Sequence, residues 1–384
     1  MSTARRSLVV VLIFILIAGA AAGLIYLVTR ASSTTVVIKP TAAPPIQKPG
    51  LYSANFDQNE PGNEWSATPI GATPTQRKFL GPFREVPLIF TMDGLPEHRM
   101  IHLTFELITY QPWNGDSQNF GRDLWDMRVV GGQPLIHTTF SDCGFFDDNN
   151  EQSFPDQYPW YPTHPGFTGA TTQQSLGYKH SWGGNGPFGI DSTYLFDLTF
   201  PHTASTLKLQ FKSQIKHHEN KPYGFLNFKV ETLDHPATAS DAQLAAWWQD
   251  LGDEDPVKAY HAIWSLIATA DQATTYIQHH LPPRDPAIPI NIDQAAQFER
   301  SFEYDTPQAR QFARAIHVLE VINSPQSKQL LADIGYTGTP QGGPPTRWDL
   351  PRPRHTGTTY PSTTPATTAA SNLRKIGDAI KNSN

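Results

Sequence analysis

Ile101-His102-Leu103-Thr104-Phe105-Glu106-Leu107 alternates apolar and polar side chains without a break. Five more runs between Phe79 and Leu233 share that period. They are Val86, Leu88, Phe90 and Met92; Trp125, Met127 and Val129; Tyr194, Phe196, Leu198 and Phe200; Leu207, Leu209 and Phe211; and Leu226, Phe228 and Val230. Successive side chains of a strand point to opposite faces, so a period of two means one buried face and one wet face. That is the pattern of antiparallel sheets packed face to face. Gly94-Leu95-Pro96 and Gly131-Gly132 punctuate the gaps as turns. The fold class predicted is mainly β plus α, centred on an antiparallel, jelly-roll-like β-sandwich over residues 51–235. Function in such a fold belongs to its loops.

The chain has 384 residues, room for two or three domains. A net charge of −6 and the lack of any basic run argue against nucleic acid as a partner. The single cysteine, Cys143, makes no internal disulfide and reads as a small buried or loop residue.

Arg5 and Arg6 precede an uncharged apolar run from Leu8 to Val28. At about 1.5 Å per residue a helix of this length crosses the roughly 30 Å hydrocarbon core. Ala18-Gly19-Ala20 and Ala20-Ala21-Ala22 have the small-x-small form of a cleavage site, but Leu24 to Val28 carries the apolar run past both. Residues 1–30 therefore read as an uncleaved transmembrane anchor. The two arginines favour a cytoplasmic N-terminus, Arg30 opposing them, and put the bulk of the chain in the periplasm or outside the cell. Residues 31–50, with Pro40, Pro44, Pro45 and Pro49, read as an extended linker. Phe56 and Trp65 are the expected core contacts where the chain enters the sandwich.

A long irregular insert, Phe140 to Phe188, carries Phe145, Phe146, Phe154, Tyr158, Trp160, Tyr161, Phe167, Tyr178 and Trp182 among Asp, Asn, Gln and Gly. Rings take the C–H face of a sugar and amides its hydroxyls, so this composition suits sugar binding. The competing reading is a small satellite core beneath the loop. Trp113, Asn114, Tyr158, Trp160, Tyr161 and Trp182 are the candidate ligand-binding residues.

After Leu233 the period changes from two to 3.6. Ser240 caps a helix to about Leu251, and Asp255-Pro256 starts another carrying Tyr260, Ile263, Trp264 and Ile267. Asp271 is placed as the cap of a third, which Pro282-Pro283 ends. A short helix is expected near Gln294–Phe302. Thr306-Pro307 and Ser324-Pro325 start the last two. Residues 236–336 thus read as a small helical-repeat domain. The Thr/Pro-rich tail 337–384 is too polar to fold, save a short amphipathic stretch with Leu373, Ile376 and Ile380.

The sandwich resembles a family of bacterial extracellular, lectin-like jelly-roll domains. The residues that carry this are Phe79-Leu80-Gly81-Pro82-Phe83, Gly94-Leu95-Pro96-Glu97-His98, Gly121-Arg122-Asp123-Leu124-Trp125-Asp126, Thr138-Thr139-Phe140-Ser141, Gln152 to Pro159 and Phe200-Pro201-His202-Thr203. The helical part resembles a HEAT-like interaction module often attached to WD-repeat propellers in bacterial surface proteins. Its matching residues are Asp250-Leu251-Gly252, Ala259 to Leu266, Ala315 to Ile322 and Ser324 to Leu331. These resemblances imply binding rather than catalysis.

Calcium is the ion the acidic turns suit, since it takes oxygen ligands from carboxylates and carbonyls. Asp116, Asp123 and Asp126 lie on one connection. The jelly-roll resemblance implies a ligand on the first strand, where Asp57 stands, and one on the last, where Leu226 replaces the usual aspartate. His217-His218 and His279-His280 are adjacent pairs whose side chains diverge, a poor metal clamp. Asp147-Asp148 stands too close in sequence for two carboxyls facing across a cleft. The reading is a membrane-anchored, non-catalytic cell-surface or envelope protein, with a ligand-binding sandwich and a protein-interaction helical module. Its partner is a protein or an envelope glycan. The alternatives are a carbohydrate-binding lectin-like protein and a hydrolase with an unrecognised site.

Overall fold

The computed structural model describes residues 51–117, 122–142, 151–158, 163–181, 187–215, 221–281, 307–334 and 336. The expected anchor, linker and tail lie outside these residues. So do the helix near Gln294–Phe302, Cys143, Asp147-Asp148 and His217-His218. Among the described residues no helix is long and apolar enough to cross a membrane.

The alternating runs form two antiparallel sheets. The first is built on β5 (Met100–Tyr110), flanked by β13 (Asp191–Pro201) and β15 (Tyr223–Leu233). The short β10 (Thr172–Gln173) extends it beyond β13. On the other side β1 (Leu51–Asn55) and β3 (Lys78–Phe83) share the edge of β15, and β2 (Ile70–Ala72) follows β3. The second sheet runs β4 (Leu88–Asp93), β14 (Thr206–Ile215), β6 (Asp123–Val129), β7 (Pro134–Thr139). Alternation sets the burial: Ile101, Leu103, Phe105 and Leu107 are buried, while His102, Thr104 and Glu106 between them are half-buried. Phe105 stacks on its cross-strand neighbour Phe196 at 4.6 Å, and the two sheets interlock through rings such as Phe211, edge-on to Phe225 at 5.0 Å. Phe56 and Trp65 join this core as expected, and Trp65 Nε1 donates to the Tyr52 hydroxyl at 2.8 Å.

Two positions depart from strict alternation. Val86 is 79% exposed because β4 begins only at Leu88. A register shift between Phe225 and Phe228 turns Leu226 to the opposite face. There it packs with Phe79, Ile108, Tyr110 and Leu176 in a second, smaller cluster. Two of the sequence signatures meet in space, since His98 Nε2 lies 2.8 Å from His202 Nδ1.

Among the described residues five helices follow: α1 (Asp241–Asp250), α2 (Pro256–Thr269), α3 (Asp271–His280), α4 (Pro307–Ile322) and α5 (Pro325–Asp333). Ser240 and Gln243 form a capping box, and Asp255 and Ser324 cap α2 and α5. Asp271 is not a cap: Ala270 holds that position at φ +33°, and Asp271 stands in the first turn. The helices are not insulated from the sheets. Trp264, Ile267, Leu319 and Leu331 belong to the same hydrophobic cluster as Phe105 and Trp125. Tyr260 of α2 meets Phe154 of the insert at 5.6 Å.

Candidate functional site

The insert is organised by Gln152, which is wholly buried in β8 (Glu151–Gln152). Its carbonyl accepts from the backbone of Ser141 and Phe167, and its Nε2 donates to the carbonyls of Phe154 and Thr168. With the Tyr194 hydroxyl also donating to its Oε1 at 3.4 Å, these bonds engage the whole amide. The described aromatics of the insert bury themselves around it: Phe140, Phe154 and Phe167 are in the interior, and Phe154 lies 5.2 Å from Tyr194. Tyr178 stacks on Tyr110 at 4.2 Å. Among the described residues, Phe140 and Phe154 thus join the main core of the sandwich instead of a separate satellite, and Tyr178 packs on the smaller cluster of Phe79 and Tyr110.

The candidate ligand residues fare differently. Trp113 is fully buried, and its Nε1 donates to the Pro222 carbonyl at 3.2 Å, so it cannot meet a ligand. Asn114 forms a backbone bridge to Ser141. Tyr158 is half-buried, with the Arg122 guanidinium 5.2 Å above its ring. Trp160, Tyr161 and Trp182 lie outside the described residues.

The four carboxylates of the expected calcium set are not gathered together. Asp57 is exposed and accepts from the Lys78 amide at 2.8 Å. Asp116 takes the Ser153 hydroxyl at 2.8 Å and faces Arg122 at 3.7 Å. Asp126 binds His137 at 2.7 Å and Arg128 at 3.3 Å. Burial would raise its carboxyl, but His137 and Arg128 outweigh burial and lower it. Asp123 binds the buried Lys221 ammonium at 2.7 Å. Among the described residues no three His, Cys, Asp or Glu converge as metal ligands.

What the fold does gather is a polar floor at one end of the sandwich. The segment 113–115 lies between Asp123 and the end of β7. The Asp142 amide donates to the Trp113 carbonyl at 2.9 Å, Gly115 N–H to Phe140 at 2.8 Å, and Asp123 N–H to Gly115 at 3.0 Å. Gly115 sits at φ +58°, where a Cβ would come 2.1 Å from the Glu151 carbonyl oxygen, so only glycine fits. Asp142 is fully buried and accepts from the hydroxyls of Thr109 and Ser192. Burial pushes its carboxyl up to about 7, against those hydroxyls, with Asp191 and Asp123 adding to the rise. Burial likewise lifts Asp123 to about 6 despite Lys221.

A second polar centre joins the insert to the helices. Asp156 is clasped by Arg314 of α4, Nε to Oδ1 at 2.7 Å and the second guanidinium nitrogen to Oδ2 at 2.8 Å. His164 adds its Nε2 at 2.9 Å. The remaining Arg314 nitrogen donates to the carbonyls of Leu251 and Asp253. No protein-family model matches the chain. No curated protein matches it either. The geometry is therefore what a functional reading has to rest on.

Sequence reasoning missed Asp142, Lys221 and the Asp156–Arg314–His164 centre. Asp156 lies within the Gln152–Pro159 stretch, but nothing in its neighbours points to an arginine 158 positions away. The helical part also carries an outward groove of about 420 Å³ between α1 and α3, lined by Asp241, Leu244, Asp271, Tyr276, His279 and His280. His280 stacks on Tyr276 at 3.9 Å.

Proposed function

We propose that this chain is a non-catalytic cell-surface or envelope protein, held in the membrane by residues 1–30. A jelly-roll-like sandwich presents its loop end to an extracellular ligand, and a HEAT-like helical module braces it and offers its outer side to a protein partner. The observation that carries this reading is the Arg314 clasp on Asp156. It fixes the insert to the helices through a buried, bidentate ion pair, which preorganises a loop system for binding. The outward groove between α1 and α3 supports the interaction role of the helices.

The test is made on the full chain in a bacterial host. The reading expects the chain to stay with the membrane through a high-salt wash, to keep its first residue, and to be cut by external protease once the outer barrier is opened. A product beginning near Ala21 or Gly23, or one recovered from the cytoplasm, overturns the topology. The purified chain on a glycan array then separates ligand classes. Saturable binding to a defined sugar moves the reading to a lectin-like protein; turnover of that sugar revives the hydrolase.

A further inference from the structure

The groove between α1 and α3 joins apolar and acidic surface in one open space of about 420 Å³. Leu244, buried in the core, lines it, and so does Tyr276, whose ring stacks on His280 at 3.9 Å. Asp241 and Asp271, each in the first turn of its helix, line it as well. Among the described residues no lysine or arginine does. Arg99 reaches Asp271 only at 3.8 Å, with both side chains largely in water, so that pairing is weak and screened. Such a groove suits an occupant that is both cationic and apolar. Its carboxylates accept from an ammonium or a guanidinium, and its ring and aliphatic surface take methylene stems and apolar side chains.

We propose that residues 371–384 of this same chain dock in the groove and cover it. Charge is the first argument. That stretch carries Arg374, Lys375 and Lys381 against Asp378, a net +2 (3 − 1) in a chain whose net charge is −6. Pattern is the second. Leu373, Ile376 and Ile380 fall at i, i+3 and i+7, one face of a helix, and about fourteen residues are marginal as a helix in water without a surface to lie on. Reach is the third. Tyr336 is tied to α5 by its amide on the Leu331 carbonyl at 2.8 Å, and α5 meets α3 where Gln326 Nε2 donates to Gln278 Oε1 at 3.2 Å. The chain therefore leaves the described residues one helix away from the groove. Residues 337–372 can extend by about 3.3 Å each, many times the roughly 10 Å diameter of a helix. Tethering also supplies affinity that a short segment lacks, because the tail meets the groove at an effective concentration of about millimolar. The inference goes beyond the proposed function and does not rest on it: a protein partner for this groove has to displace the tail first.

The experiment compares the full chain with one ending at Ala370, in the same detergent, and its probe is a fluorescent peptide of residues 371–384. The proposal expects saturable binding to the shortened chain and roughly tenfold weaker binding to the full chain, whose own tail competes. Asp241→Lys in the shortened chain should weaken the peptide severalfold, and Glu60→Gln, on the sandwich, should change nothing. A peptide with Arg374→Glu and Lys375→Glu should lose its hold on the shortened wild type and regain part of it on Asp241→Lys. A shortened chain that does not bind the peptide overturns the proposal. So does equal binding to the two chains, since the groove would then be empty in the full chain. A full chain that is dimeric where the shortened one is monomeric places the tail on a second copy and overturns docking within one chain. Should Asp241→Lys fail to fold, the charge-reversed peptide decides on the shortened wild type: unchanged affinity there overturns the proposal.

Discussion

Arg314 and Asp156 are 158 residues apart in the chain and form a two-pronged ion pair with both side chains buried. This pair is the covalently unconnected joint between the sandwich insert and the helices. A guanidinium can fill both oxygens of one carboxylate and still serve two carbonyls, which an ammonium cannot do with fixed geometry. The joint predicts that Arg314→Met, of similar length, leaves the buried Asp156 with only His164 as a side-chain partner and without its guanidinium. Breaking a buried pair in this way costs about 3–5 kcal/mol. Urea unfolding should show that loss in Arg314→Met and a smaller one in Arg314→Met/Asp156→Asn, because the double variant strands no charge. Equal losses in the two would show that the pair is not what holds the joint.

Acid should act on this joint in two windows. Burial pushes the His317 imidazole from 6.5 down to about 4, with Asp156 pulling the other way. The unfolded chain therefore takes that proton first, and stability falls as the pH drops from about 6.5 to about 4, by roughly 3 kcal/mol in total. Burial works to raise Asp156 as well, but Arg314 and His164 outweigh it and hold the carboxyl at about 2 instead of 3.8. Its contribution is complete above the unfolded value near 3.8 and is lost as the pH falls through about 2. Between pH 7 and pH 4.5 the urea midpoint of the wild type should fall more than that of His317→Leu, which has no imidazole to charge. Parallel profiles would mean that His317 is charged or solvated in the folded chain.

Trp264 lies on the buried stripe of α2, with Tyr260 at 6.2 Å and His317 of α4 at 6.3 Å. Its loss to alanine removes burial and opens a cavity, at a cost of about 3–5 kcal/mol. That is a large share of a typical domain's roughly 5–15 kcal/mol. Trp264→Ala should melt far below the wild type. A variant with wild-type melting that has lost a protein partner would make this face an interface instead.

Removing residues 236–384 tests how far the sandwich stands alone. The period changes near Leu233, which predicts an independent fold for 51–235, yet Phe154 packs on Tyr260 and Asp156 closes on Arg314. The truncated chain should keep its sheet signature in circular dichroism. It should melt lower than the full chain and bind a hydrophobic dye where Tyr260 is gone. A truncated chain with unchanged melting would show that the helices contribute nothing to the insert.

Much of the architecture was legible because it depends on local order alone. A strand's side chains alternate by geometry, so Leu103, Phe105, Phe196 and Phe211 announce a buried face wherever they are placed. A helix start needs an oxygen acceptor beside free amides, so Ser240, Asp255 and Ser324 mark their helices within one turn. Leu226 escaped this reading because a register shift in β15 reverses the alternation, and a shift of that kind depends on the partner strands.

The sites were less legible, because burial and pairing are properties of the folded chain. Trp113 carries the same ring as a sugar-stacking tryptophan; only its place under Pro222 makes it core. Asp123 was read as a turn residue of an acidic set, but Lys221, 98 positions on, gives it a buried cation. Asp142 has no distinguishing neighbour in the sequence, and its character comes from hydroxyls on β5 and β13. The sequence by itself determined which segments become strands and helices and which faces they bury, because those follow from backbone period and capping chemistry. Only the tertiary structure decided which charges meet, because a charge in the interior takes its partner from whatever chain the fold brings within about 3 Å.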